Sequence, residues 1–226
     1  YSKSDIVNWY KVPADKIDNV SCGINSNFFV LTEEAREAAR IKFSYGIPYF
    51  FFVGSMHPRK NMLRLLQAFN AFKEKTGSHF KLVIAGAMVW NKSEIMDAYE
   101  QSPYKQDINF TGRLSDDDLK LALGAAYALS FVPIFEGFGL PIVEAFEAGV
   151  PVLAANATSL PEVAGDAAVY ADPFDVQSIC DGMTRLYENK NNLCGQLIAK
   201  GFEQKKLFSW DRTAALLWES MQKAMQ

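Results

Sequence analysis

The stretch YFFFVGSMHPRKNMLRLLQAF, residues 49–69, joins a strand pattern to a loop and a helix pattern. A buried strand is predicted over Tyr49–Val53, and it ends at Gly54. The loop that follows delivers Arg59 and Lys60. Arg offers a planar fork to phosphate oxygens and Lys a mobile charge, so the pair fits a phosphate site at the carboxyl end of a parallel strand. The alternative for the pair alone is a solvated basic loop tip.

A second cluster lies in EGFGLPIVE, where Glu136 and Glu144 bracket a glycine-rich turn. Gly137 and Gly139 allow the backbone to approach a ligand closely, and a helix that starts near Pro141 offers free N–H groups to an anion. We therefore predict a sugar-nucleotide site, with the diphosphate at the helix end and Glu144 on the first helical turn. The alternative for Glu144 is that acidic residues favour helix starts through the macrodipole.

Short apolar runs alternate with helical patterns through most of the chain, which predicts parallel crossovers and an α/β doubly wound sheet followed by C-terminal helices. Strands are predicted over Tyr49–Val53, Lys81–Ala85, Ile108–Thr111, Ala126–Val132 and Val150–Ala154. Helices are predicted from Met62 to Phe72, near Ser93–Tyr99, and over Leu119–Ala125, Val176–Glu188, Leu193–Phe208 and Trp210–Gln222. Ligands gather at the carboxyl ends of such strands, where both clusters fall.

The region before residue 45 has a different pattern. A short helix is predicted in SDIVNWYK, a strand around Ile17–Ser21, and a helix in TEEAREAARIKF that Thr32 caps. Further along the chain, Asn61 and Ser115 are predicted to cap the helices that follow them.

Composition excludes several classes of protein. The net charge is -3 with both signs mixed along the chain, which gives no footprint for nucleic acid or an anionic membrane. No run approaches the ~18 apolar residues of a membrane span. Three cysteines without C-x-x-C spacing argue against a disulfide framework or a zinc site and favour the cytoplasm.

Three segments together resemble a known family. They are VGSMHPRKN (Val53–Asn61), FEGFGLPIVEAFEAGVPVLA (Phe135–Ala154) and SLPEVAGDAAVYADPFD (Ser159–Asp175). In order and spacing they resemble the carboxyl-terminal half of the retaining, GT-B-fold glycosyltransferases of family 4, also called group 1. The resemblance covers nearly the whole chain and implies a Rossmann-like fold and a nucleoside-diphosphate sugar as substrate. No metal or other cofactor is expected, because the two cations can neutralise the diphosphate and no Asp-x-Asp run stands beside the predicted pocket.

The resemblance also implies residue roles. Arg59 and Lys60 would hold the donor diphosphate, Glu136 would face the transferred sugar, and Glu144 would bind the ribose. The other donor-binding residues would be Gly54, Ser55, Gly112, Arg113, Gly137, Phe138, Gly139 and Leu140. Many members carry a further Arg where this chain has Ser55, so one cation of the usual cluster is absent from that position.

Two residues keep open alternatives. For Arg113, a surface ion pair with Asp116 or Asp117 is as good an interpretation as contact with the base. For His57, the choice is between lining a phosphate site and being a solvated loop residue.

The expected function is transfer of a hexose from a nucleoside-diphosphate sugar to a glycan or lipid-linked acceptor, with retention. The PRKN form of the cation loop resembles mannosyltransferases that use GDP-mannose. The alternatives are a sugar-nucleotide epimerase, for which only Glu136 and His57 could serve as acid or base, and a non-catalytic nucleotide-sugar-binding module.

We expect one complete domain in this chain, preceded by a tail. Since it starts at Tyr1 rather than Met, we expect a fragment, with residues 1–45 as the tail of an N-terminal acceptor domain and linker and residues 46–226 as the nucleotide-sugar-binding domain. The absent half would bind the acceptor and make any peripheral contact at the inner face of the membrane. The isolated chain is expected to be inactive.

Overall fold

The computed structural model describes residues 1–24, 27–87 and 92–225. Its centre is a six-stranded parallel sheet with the order β3-β2-β1-β4-β5-β6. The strands are β1 (Tyr49–Val53), β2 (Lys81–Ala85), β3 (Ile108–Gly112), β4 (Ala128–Phe131), β5 (Val152–Ala155) and β6 (Ala168–Ala171). The strand order reverses direction between β1 and β4, as in Rossmann-like doubly wound sheets. The predicted fold class is therefore confirmed.

Helices fill the connections between strands and follow the sheet. In the described residues they are α1 (Ser2–Tyr10), α2 (Glu33–Ser44), α3 (Met62–Thr76), α4 (Lys92–Glu100), α5 (Asp116–Gly124), α6 (Leu140–Glu147), α7 (Leu160–Ala164), α8 (Val176–Glu188), α9 (Leu193–Gln204) and α10 (Trp210–Ala224). α3 packs against α8, and α2 packs against α5. Right-handed crossovers on the two sides of the reversal place helices on both faces of the sheet.

The core is densest around β1. Tyr49, Phe50, Phe51 and Phe52 are fully buried. A central parallel strand is covered on both faces, so its sequence is a continuous apolar run rather than an alternating one. The one polar side-chain group of this run, the Tyr49 hydroxyl, donates a hydrogen bond to the carbonyl of Ala122 at 2.6 Å.

The predicted caps at Thr32 and Ser115 are confirmed, since each hydroxyl accepts a hydrogen bond from a backbone N–H three residues later. The predicted strand around Ile17–Ser21 is wrong. In the described part of the chain no strand pairs with this segment, and an isolated strand has no ladder to stabilise it. α2 contributes Ala39 and Phe43 to the core, while the domain boundary at residue 45 stays a prediction.

The predicted strands agree with β1 to β5 within two residues at each end. β6 and α7 were not predicted. β6 has only four residues, lies at the edge of the sheet and alternates half-buried with buried side chains. Its sequence, AVYA, stands between the Gly165 turn and a Pro-containing loop, so the apolar run is too short to be distinguished from loop by its pattern.

Candidate functional site

The loops that follow β1 and β4 lie side by side where the strand order reverses. We call residues 54–61 the β1 loop and residues 132–139 the β4 loop. The backbone N–H of Ile134 donates to the carbonyl of Arg59 at 2.8 Å. The side-chain amide of Asn61 donates to the carbonyl of Val132 at 3.0 Å. These hydrogen bonds fix the two loops to each other without a ligand.

Asn61 does not cap α3 as predicted. It stands at the N-cap position with a φ of 63°, but its side chain makes no cap hydrogen bond. Instead the amide also donates to the carbonyl of Pro173 at 2.6 Å, and its oxygen accepts from Arg64 at 3.1 Å. Asn tolerates the left-handed conformation, and its amide satisfies carbonyls that are buried between loops.

Arg59, Lys60 and Glu136 meet between the two loops. Arg59 donates from Nη1 to Oε1 of Glu136 at 2.7 Å and to the carbonyl of Phe135 at 3.2 Å. Lys60 forms an ion pair with the same oxygen, Oε1. The Lys60 and Glu136 side chains are 10% and 12% exposed, and that of Arg59 is 42% exposed. The pair is thus no solvated loop tip, and two cations share one carboxylate.

Apolar groups lie close to the Lys60 side chain. Its Nζ lies 4.9 Å from the centre of the Phe131 ring, a cation–π distance. Gly54 has a φ of 151°, and a Cβ there would lie 3.4 Å from Cε of Lys60. The glycine therefore leaves room for the lysine stem at the end of β1.

His57 has a structural contact that the sequence did not suggest. It precedes a 3-10 turn, Pro58–Lys60, and its Nδ1 accepts a hydrogen bond from the N–H of Arg59 at 3.1 Å. Half-buried His57 thus caps the turn that presents both cations.

The β4 loop is held by Ser159, which begins one of the family-like segments, and by Thr158, which directly precedes it. The N–H of Glu136 donates to Oγ1 of Thr158 at 3.2 Å. The hydroxyl of buried Ser159 lies 2.9 Å from the carbonyl oxygen of Glu136 and 3.1 Å from that of Phe138. The sequence signal for Ser159 was the SLPE run, in which Ser159 directly precedes α7 and the other three residues begin it.

The glycine-rich turn begins α6. Gly139 has a φ of 107°, and a Cβ there would lie 2.6 Å from Cδ2 of buried Leu160. At Gly137 a Cβ would meet no atom within 4 Å, so this backbone is open to an approaching ligand. Phe138 packs edge-on against Phe208 with a centroid distance of 5.3 Å, while Leu140 is exposed.

Glu144 is the fifth residue of α6, just past the first turn on which it was predicted. The macrodipole interpretation therefore loses its basis, because that effect falls off beyond the first turn. Burial raises the pKa of Glu144 to about 7. In the described part of the chain no group hydrogen-bonds to this carboxylate, which leaves it available to ligand hydroxyls.

Three predicted residues lie outside the cation cluster. Gly112 ends β3 with a φ of 70°, and its carbonyl accepts from the N–H of Gly86. Arg113 is exposed and has no ion pair with any described residue, so the alternative of a surface ion pair with Asp116 or Asp117 is not supported, and its contact with the base stays a prediction. Ser55 is half-buried in the β1 loop.

A cavity of about 600 Å³ lies beside the β4 loop. Gly137 and Phe138 line one side, and Arg212 and Leu216 of α10 line another. Arg59, Lys60 and Glu144 do not line this cavity, so it is separate from the cluster of Arg59, Lys60 and Glu136. Over residues 1–24, 27–87 and 92–225, no three His, Cys, Asp or Glu side chains are grouped to hold a metal ion, and no helix has the length and apolarity to cross a membrane.

Comparison with known proteins gives one consistent family. The model of the family described as Glycosyl transferases group 1 matches residues 35–204. The chain is 32% identical over 214 residues to O-antigen chain mannosyltransferase B of Escherichia coli, covering 93% of this chain and 55% of the relative. It is 28% identical over 228 residues to the serotype-specific mannosyltransferase WbdA of Escherichia coli, covering 98% of this chain and 28% of the relative.

Among solved structures, a glycosyltransferase from Rickettsia africae superposes with a TM-score of 0.86 at 18% identity, covering 100% of this chain and 62% of that one. This likeness shows the fold. The chain spans about half, or less, of the length of the curated relatives it matches. The family match does not favour the epimerase or the non-catalytic binding module.

Proposed function

The chain belongs to the glycosyl transferases group 1 family, and from that premise we propose that it binds the nucleoside-diphosphate sugar donor of a retaining hexosyltransferase. One observation carries the proposal. Arg59 and Lys60 meet the β4 loop, which leads into α6, where the strand order reverses. In open α/β sheets, ligands bind in the crevice at that point.

Each predicted site residue has a role in this proposal. The leaving diphosphate lies against Arg59, Lys60 and the N–H of Leu140 at the start of α6, because fixed donors stabilise negative charge as it builds. Glu136 faces the transferred hexose, and Glu144 accepts hydrogen bonds from the ribose hydroxyls. The remaining donor-binding residues are Gly54, Ser55, Gly112, Arg113, Gly137, Phe138, Gly139 and Leu140.

The reaction moves one glycosyl group. The bond from the anomeric carbon to the diphosphate oxygen breaks, and a bond from the acceptor oxygen to that carbon forms on the same face. The acceptor proton passes to the departing diphosphate. Because Arg59 and Lys60 neutralise this leaving group, we expect no requirement for a divalent metal. The PRKN sequence and the names of the relatives support a GDP-mannose donor.

The acceptor, a glycan or a lipid-linked glycan, binds to a part of the protein that this chain does not cover. Residues 1–45 form the tail of that acceptor domain and the linker, and residues 46–226 form the donor domain. We place the whole enzyme in the cytoplasm, with peripheral contact at the inner face of the membrane. The 226-residue chain alone binds donor but transfers no sugar, since half of a cleft cannot orient two substrates.

A thermal-shift panel tests the proposal on this chain. GDP, UDP, ADP and the matching sugar nucleotides are added, with chelator present to remove metal. A ligand at ~100 times its Kd adds about 2.7 kcal/mol to the free energy of unfolding. That corresponds to roughly 5–10 °C in Tm for a chain of this size. GDP and GDP-mannose should give the largest shifts. No shift with any nucleotide would sink the donor assignment, and mannose transfer by the chain alone would contradict the need for a second domain.

A further inference from the structure

The carboxylate of Glu136 occupies the cations that the proposed function assigns to the diphosphate. Arg59 Nη1 lies 2.7 Å from its Oε1, and Lys60 pairs with the same atom. Carboxylate and phosphate oxygens accept hydrogen bonds from the same guanidinium and ammonium groups, so the two anions compete. We propose that Glu136 is an internal competitor of the diphosphate, displaced by the intact donor and restored over the product. This inference rests on the proposed function.

The geometry allows the carboxylate to move while its backbone stays in place. The N–H of Glu136 donates to Thr158, and its carbonyl accepts from Ser159, so the main chain is held from both sides. The carboxylate, by contrast, has only Arg59 and Lys60 as recorded partners among the described residues. Rotation about the side-chain bonds of Glu136 therefore removes the carboxylate from both cations without unfolding the β4 loop.

The charges favour exchange over permanent pairing. Two cations share one carboxylate, which leaves one positive charge in excess at the cluster. A diphosphate brings more negative charge and more acceptor oxygens than the single Oε1 that both cations now contact. The existing ion pairs nevertheless oppose replacement of the carboxylate by the diphosphate. Lys60 and Glu136 are largely buried, and a partly buried ion pair is stronger than a solvated one.

The displaced Glu136 carboxylate has different partners in the donor complex and in the product complex. With the intact donor, hexose hydroxyls lie beside Glu136 and donate hydrogen bonds to the freed carboxylate. With the nucleoside diphosphate alone there is no hexose, and the carboxylate returns to Arg59 and Lys60. Glu136 is thus a specificity-determining residue: it weakens binding of the product more than binding of the donor, and it speeds product release.

Calorimetry on the chain with Glu136→Gln tests the exchange. The probes are GDP with GDP-mannose and UDP with UDP-glucose, and the pair that binds the wild type more tightly is used. The uncharged amide should tighten binding of the nucleoside diphosphate roughly three- to tenfold, somewhat more than an exposed ion pair is worth. Binding of the sugar nucleotide should stay equal or weaken. Glu147→Gln is the matched control, since Glu147 pairs with Lys205 at 2.6 Å outside both loops, and it should change neither affinity.

The outcomes are distinct. If Glu136→Gln tightens both ligands by the same factor, the effect is general electrostatics and the exchange is overturned. Equal or weaker binding of the nucleoside diphosphate overturns it as well. If Glu136→Gln fails to fold, Glu136→Asp retains the charge on a shorter stem and should shift the two affinities in the same directions by a smaller factor. A wild type that binds neither pair would instead refute the proposed function.

Discussion

Arg59 Nη1 lies 2.7 Å from Oε1 of Glu136, although the two residues are 77 positions apart in the chain. The parallel sheet brings them together, because β1 and β4 are neighbours and both strands end at the same edge. Hydrogen bonds between the loops then fix the separation. The cluster is therefore built into the fold rather than assembled by a ligand.

The first prediction concerns the two cations. Arg59→Ala combined with Lys60→Ala should weaken binding of nucleoside diphosphate about 100-fold or more, because each charge-assisted hydrogen bond contributes roughly 1.5–3 kcal/mol. Calorimetry measures the loss, with circular dichroism as the check that the variant is folded.

A matched control removes two positive charges elsewhere. Lys105 and Lys190 pair with Glu100 and Glu188 on exposed surface, outside the β1 and β4 loops. Lys105→Ala combined with Lys190→Ala should leave the affinity within about twofold, since exposed pairs contribute little. If the two double variants lose affinity equally, the effect is one of net charge and the cation assignment fails.

The second prediction separates two glycines of one turn. Gly139→Ala places a methyl group 2.6 Å from Leu160 at a φ of 107°, so it should destabilise the chain by about 2 kcal/mol or more. Gly137→Ala meets no atom within 4 Å and should stay within about 0.5 kcal/mol of the wild type. Urea unfolding compares them, and equal stabilities would show that the Gly139 conformation is not required.

The sequence predicted the sheet well because its strands are apolar runs with clear loops between them. Tyr49–Val53 shows this, since a strand buried on both faces leaves an unbroken signal. It could not predict the partners of side chains. Asn61 is of a residue type that commonly caps helices. Its side-chain amide instead bridges the carbonyls of Val132 and Pro173, which lie 71 and 112 positions away in the chain. Sequence pattern is local, whereas such contacts depend on how the loops pack.

The same limit applies within the site. The pattern placed Arg59, Lys60 and Glu136 at the carboxyl ends of two strands, and the structure brings them together. The sequence pattern predicted that each of these side chains binds part of the ligand, but it did not indicate that they form ion pairs with one another. The depth of Glu144 in α6 also depends on where the turn ends, and helix boundaries are the least certain feature of a sequence pattern.

The third prediction concerns pH and stability. Burial raises the pKa of Glu144 to about 7 in the folded chain, above its ordinary value. Its contribution to stability is therefore fully present below the unfolded pKa, near 4.5, and is lost as pH rises through about 7. Glu144→Gln stays neutral, so at pH 8 it should be more stable than the wild type by about 2–3 kcal/mol, and at pH 4.5 nearly equal to it.

Urea unfolding at both pH values gives the comparison. Glu147→Gln on the same helix is the control, because Glu147 is ion-paired with Lys205 and the variant should not gain stability at pH 8. A Glu144→Gln curve that runs parallel to the wild-type curve across this pH range would show that the carboxylate is solvated.

The last prediction is stereochemical. The Nδ1 of His57, next to the cations, is occupied by the N–H of Arg59. In the donor complex proposed above, the freed Glu136 carboxylate accepts hydrogen bonds from the hexose hydroxyls. The leaving diphosphate is then the group that takes the acceptor proton, on the face from which it departs, which gives retention at the anomeric carbon. An inverting enzyme would instead need a carboxylate or His on the opposite face of the sugar. Proton NMR of the first-formed product of the complete enzyme distinguishes the two: an α-linked donor should give an α-linked product. A β-linked product would rule out same-face transfer, and with it the proposed passage of the acceptor proton to the leaving diphosphate.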